Sequence, residues 1–117
     1  MVEAAEFRLF ALTFKDVLET PRIERTSFRL KQKIFATLDK DGLRATLRLS
    51  LKDQSEVLFR FAEAFRVAAG SWGPKGWTIM DLEQVEVQTM QDTLFMAYQN
   101  IIRGNRRIEK FTFRIID

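Results

Sequence analysis

No cysteine and no histidine occur among the 117 residues, and glycine and proline are scarce at five and two. Without cysteine there is no disulfide framework, no thiolate metal ligand and no thiol nucleophile. Without histidine the commonest general base near neutral pH and the commonest metal ligand are both missing, which excludes Ser-His-Asp triads and HExxH zinc sites. Long apolar runs are absent as well: nothing approaches the roughly 18 consecutive apolar residues that a membrane-crossing helix needs. The opening "MVEAAEFRLFALTF" carries Glu3 and Glu6 where a signal peptide carries positive charge, and Arg8 and Lys15 interrupt the apolar pattern. No targeting segment is read there, and a cytoplasmic location is expected.

What is present is an ordinary globular composition, 46% hydrophobic and 30% charged, in a chain long enough for one domain with a core of its own. The net charge is +3, which permits polyanion binding without demanding it. No internal repeat, low-complexity tract or linker divides the chain.

Periodicity sets the elements. Phe7, Phe10, Phe14, Val17 and Leu18 recur at helical spacing, so residues 3–19 read as a helix closed by Thr20 and Pro21. The period then changes to two. "RTSFRL" (Arg25 to Leu30) and "KIFATL" (Lys33 to Leu38) flank a polar turn, Lys31 and Gln32. "DKDG" (Asp39 to Gly42) reads as a hairpin turn in which Gly42 takes positive φ. "LRATLRLS" (Leu43 to Ser50) alternates cleanly, with leucines and Ala45 on one side and Arg44, Thr46 and Arg48 on the other. Ser50 is placed to cap a second helix with Asp53 three residues on. A short strand near Phe65 to Ala68, a strand at "WTIMDL" (Trp77 to Leu82) and a helix over about Val85 to Arg103 complete the pattern. Gly104 and Asn105 are expected to stop that last helix. The fold class is therefore α+β: a two-layer sandwich of one antiparallel sheet with helices on one face, in the order α-β-β-β-α-β-β-α.

The segments "SFRLKQKIFATLDKDGLRATLRL" (Ser27 to Leu49) and "SWGPKGWTIMDL" (Ser71 to Leu82), between a first helix ending before proline and a terminal helix, resemble the MmcQ/YjbR family. The resemblance runs from about Phe7 to Arg103, leaving 104–117 as a C-terminal extension of a single domain. It implies a topology shared with type III secretion chaperones and a DNA-binding role through a double-wing motif. Several members of that family carry histidine where this chain has Gly76, so a role for an imidazole there does not carry over.

"GSWGPKGW" (Gly70 to Trp77) gathers both tryptophans and three of the five glycines. It is not a Walker loop, because Lys75 precedes Gly76 and no Ser or Thr follows for magnesium. It reads first as a chain reversal in which Trp72 and Trp77 pack, and second as a ligand-facing corner. "DKDG" lacks the spaced oxygens and closing glutamate of a calcium loop. No nucleophile and base stand at a recognisable spacing, so an enzyme is not expected. No cofactor, metal or membrane partner is implied.

The alternation offers a basic face instead. Arg29, Lys31, Lys33, Arg44 and Arg48 fall on the side of neighbouring strands away from the helices, with Lys75 and Trp77 at the glycine-rich corner. Cations so placed track a phosphate backbone, neutralising phosphates and releasing counterions. The expectation is non-specific DNA binding, mainly to backbone phosphates. The alternative is a protein-interaction or chaperone-like module acting as a homodimer. The β-prone "FTFRII" (Phe111 to Ile116) is expected to pair with a sheet edge in its own chain or a partner's.

Overall fold

The structure, a computed structural model, describes the backbone of residues 1–116 and the side chains of residues 1–104. Six antiparallel strands form one sheet: β1 (Val17–Pro21), β2 (Arg25–Leu30), β3 (Lys33–Asp39), β4 (Arg44–Arg48), β5 (Phe65–Val67) and β6 (Trp77–Asp81). Their spatial order is β1-β2-β3-β4-β6-β5, so the chain leaves β4 through a helix, forms the far edge as β5 and returns as β6 between them. Three helices, α1 (Ala4–Ala11), α2 (Leu51–Arg60) and α3 (Val87–Ile116), accompany the sheet.

The α+β architecture and the succession of elements follow the reading from periodicity, with one strand added. Residues 17–21 are not the end of the first helix but the edge strand β1, paired with β2 from Val17↔Leu30 to Pro21↔Thr26. The helix stops at Ala11, and Asp16 takes φ 65°, a left-handed kink that redirects the chain into the strand. Phe14 keeps its helical-phase partner by stacking on Tyr98 at 4.7 Å between centroids. The Tyr98 hydroxyl donates to the Lys15 carbonyl at 2.9 Å, pinning the turn against α3. Arg8 on α1 and Glu19 on β1 form a two-pronged ion pair at 2.6 and 2.8 Å, whose hydrogen bonds hold the guanidinium above its ordinary pKa.

Helix and turn signals elsewhere act as read. The Ser50 hydroxyl accepts from the Asp53 amide at 3.1 Å at the start of α2. Gly42 adopts φ 75° in the β3–β4 turn, where Asp41 accepts from the Leu43 amide. The expected stop at Gly104 and Asn105 does not occur. The last helix runs through both, 30 residues from Val87 to Ile116 or about 45 Å at 1.5 Å per residue, so the strand expected of Phe111 to Ile116 is helix. The side chains of that tail, and hence any partner for them, lie outside the described residues.

One face of the sheet carries the core. Phe28, Ala36, Ala45, Leu47, Thr78 and Met80 point to the helices and are fully buried, together with Phe7 of α1, Val57 of α2, and Met90 and Leu94 of α3. A bulge helps: Phe28 pairs with Ala36 but Arg29 pairs with Ile34, so Phe35 is the extra residue and both Phe35 and Ala36 turn inward. Among the described residues no helix packs over the other face.

Candidate nucleic-acid interface

The open face is ordered in rows by strand register. Its middle row crosses the sheet as Thr20, Ser27, Thr37, Thr46, Ile79 and Arg66, each in register with the next. Two residues along the strands, about 7 Å at 3.3–3.4 Å per residue, lies a charged row in which Arg25 pairs with Asp39 and Arg44 pairs with Asp81. On the other side lie Arg29 beside Ile34, and Arg48 beside Trp77. Hydroxyls thus occupy the centre and guanidinium groups the margins. Among the described residues, none of Arg25, Arg29, Arg44, Arg48 and Arg66 makes an ion pair within 4.0 Å; the two ion pairs, Arg8–Glu19 and Arg60–Glu56, lie elsewhere.

The glycine-rich corner forms a wall at one edge of this face. Gly70–Lys75 is a six-residue 3-10 helix closed by Gly76 at φ 103°. Glycine is obligatory there, since a Cβ on Gly76 would stand 1.9 Å from the Leu49 carbonyl oxygen. The turn is held from beneath by Gln54 of α2, a buried amide whose Nε2 donates to the Gly73 and Trp77 carbonyls at 3.0 and 3.2 Å and to the Thr78 hydroxyl at 3.1 Å. Gln54 escaped the sequence reading, because a glutamine within a helix looks like a solvated one. Trp72 is 59% exposed and meets the half-buried Trp77 edge to face at 6.2 Å. Lys75 Nζ lies 5.6 Å from the Trp72 ring centre, and the Arg48 guanidinium 6.0 Å from that of Trp77.

Wall and sheet enclose a concave groove of about 610 Å³. Its floor is Ser27, Thr37 and Thr46, its wall Trp72 and Trp77, and its far rim Arg25, Asp39 and Arg44. Thr37 is only 7% exposed, and its Oγ1 has no hydrogen-bond partner among the described residues; nor has the buried Nε of Arg29. Orphaned buried polar atoms are uncommon, and these two sit on the same face.

The structure therefore brings some of the expected binding residues together and separates others. Arg29, Arg44, Arg48 and Trp77 share the open face. Arg44 stands in the row with Asp39 and Asp81, whereas Arg48 has Trp77 as its neighbour on β6. Lys75 joins them through the Trp72 wall. Lys31 occupies the β2–β3 turn at φ 57°, at the end of the sheet. Lys33 pairs with Leu30, so its register belongs to the helix-side face, where it is exposed beyond the covered region. Arg25, Arg66, Thr37 and Trp72 are on or beside the face and were not singled out. Strand alternation alone would have found Arg25 and Thr37, while Arg66 needed the β5–β6 pairing. Among the described residues there is no metal-binding group of three or more acidic side chains, and no helix is long and apolar enough to cross a membrane.

No protein-family model and no curated protein matches the chain. Its fold is similar to that of Deinococcus radiodurans protein DR2400, which carries a DUF419 domain. The two superpose with a TM-score of 0.69 over 84% of this chain and 77% of the other, at 20% sequence identity. At that identity the likeness concerns the fold alone.

Proposed function

We propose that this protein is of the MmcQ/YjbR type and binds DNA on the open face of its sheet, chiefly through backbone phosphates and without strong sequence preference. The fold shared with the DUF419 protein and the sequence resemblance of the β2–β4 and Gly70–Leu82 segments support the first half. The observation that carries the second is the set of arginines without an ion pair among the described residues on the face away from the core: Arg25, Arg29, Arg44, Arg48 and Arg66 against Asp39 and Asp81. Hydroxyls of Ser27, Thr37 and Thr46 between them add donors suited to phosphate or base edges.

Neutralising about four phosphates gives a slope near −3.6 in a plot of log affinity against log salt for duplex DNA. Binding measured by fluorescence anisotropy then weakens roughly 100-fold between 50 and 200 mM salt. Reversing both Arg44 and Arg48 to Glu abolishes the interaction at the lower salt. Unchanged binding by that double variant, or an affinity indifferent to salt, overturns the assignment to this face.

A further inference from the structure

We infer that the groove between the tryptophan wall and the hydroxyl row seats one unpaired nucleotide, so that the open face prefers single-stranded over duplex nucleic acid. The inference rests on the reading of this face as a polynucleotide site and adds to it the form of the strand.

Four features of the groove converge on that ligand. Its volume of about 610 Å³ lies within the roughly 300–1,000 Å³ of small-ligand sites. Trp72 offers an exposed indole at its wall, braced edge-on by Trp77, and a base has a π-face to lay on it whatever its identity. At the bottom Thr37 is 93% shielded from solvent, and its hydroxyl, which can donate and accept, lacks a partner among the described residues. A hydrogen-bonding edge inserted from above would satisfy it. The charged rim about 7 Å further along the strands holds Arg25 and Arg44 beside Asp39 and Asp81. Its two guanidinium groups can hold a single phosphate, while the two carboxylates repel a length of backbone.

A duplex cannot use this arrangement. Its bases are stacked and paired inside, and its outer surface reaches the rims of the groove but not the recessed Thr37. A base extracted from a duplex costs a few kcal/mol of unstacking and unpairing, which an already single strand does not incur. Laid along β4, a single strand meets Arg44 and Arg48, four residues or about 13 Å apart, with room for a base to descend between them.

The same chemistry is offered by a free mononucleotide, so the test has separate arms. The full chain is titrated with a 12-nucleotide single strand, with the duplex of the same sequence and with a nucleoside monophosphate, followed by anisotropy for the oligonucleotides and by tryptophan fluorescence for all three. The expected result is single-strand affinity at least tenfold above duplex, with quenching of tryptophan emission by the single strand. Trp72→Ala lowers single-strand affinity about tenfold and erases the preference, in line with the loss of one stacked base. Thr37→Val provides the second variant: removing an unsatisfied buried hydroxyl leaves the melting temperature unchanged or raised. It nevertheless weakens single-strand binding about fivefold. Quenching by the monophosphate with the same dependence on Thr37, and weak oligonucleotide binding, assigns the groove to free nucleotides and overturns the polynucleotide reading while leaving the pocket chemistry intact. Equal binding of single strand and duplex, with tryptophan emission and the Thr37→Val variant unaffected, overturns the inference and leaves the phosphate-binding face standing. Absence of binding in every arm overturns both.

Discussion

Alternate residues of the same strands build two surfaces that follow opposite rules. Toward the helices β2, β3, β4 and β6 present Phe28, Ala36, Leu47 and Met80, all without measurable exposure. Toward the open side the same strands present Ser27, Thr37, Thr46 and Ile79, flanked by arginines and a pair of tryptophans. The covered face is filled by close-packed apolar side chains, where each methylene contributes and few alternatives fit. The open face is concave and mixes charged, hydroxyl and aromatic side chains, and among the described residues Thr37 Oγ1 and Arg29 Nε on it lack hydrogen-bond partners. On the proposed function stability resides in one face and recognition in the other, and substitutions should separate the two.

The largest effect is expected on the covered side. Phe28→Ala removes a ring packed edge to face on Phe7 at 5.8 Å and costs about 3–5 kcal/mol, measurable by chemical denaturation. Next comes the corner, which belongs to both faces. Gly76→Ala drives a methyl into the Leu49 carbonyl at a positive φ and costs about 3 kcal/mol, lowering the melting temperature and nucleic-acid affinity together. Gln54→Leu removes the bonds from its amide to the Gly73 and Trp77 carbonyls, which keep the Gly76 and Ala68 amides, costs about 1–2 kcal/mol, and loosens the wall that carries Trp72. The smallest stability effects fall on the open side, where Arg48→Glu and Arg44→Glu each stay within about 0.5 kcal/mol of the parent. In binding their order matters: Arg48→Glu weakens oligonucleotide affinity more than Arg44→Glu, because Arg44 already shares its row with Asp39 and Asp81. Equal losses from the two would mean that the aspartates do not shape the field of this face.

Much of this division was legible in local pattern. The alternation of "LRATLRLS" (Leu43 to Ser50) separates the two faces at sight, and the Ser50 cap and the Gly42 turn need only their neighbours in sequence. What stayed hidden depends on distant pairing. Val17 and Leu18 continue the helical spacing of Phe7, Phe10 and Phe14, and only the edge of β2 draws them into a strand. The helical continuation past Gly104 runs against its glycine and against the β-prone tail. Lys33 reads as a member of the basic face until the bulge at Phe35 shifts its parity. Gln54 carries no local sign of its placement, since a buried amide looks like a solvated residue until the 3-10 helix closes beside it.

The central claim concerns location, and the two tryptophans report on it directly. The chain holds only two, so its proton–nitrogen spectrum has two indole signals, both from the wall of the groove. Titrating a single-stranded oligonucleotide should move both indole signals and the amides of Thr37, Thr46 and Arg48, while the amides of α1 and of Met90 to Ile101 stay in place. Stationary indole signals, with shifts gathered instead on the helices, would contradict the account.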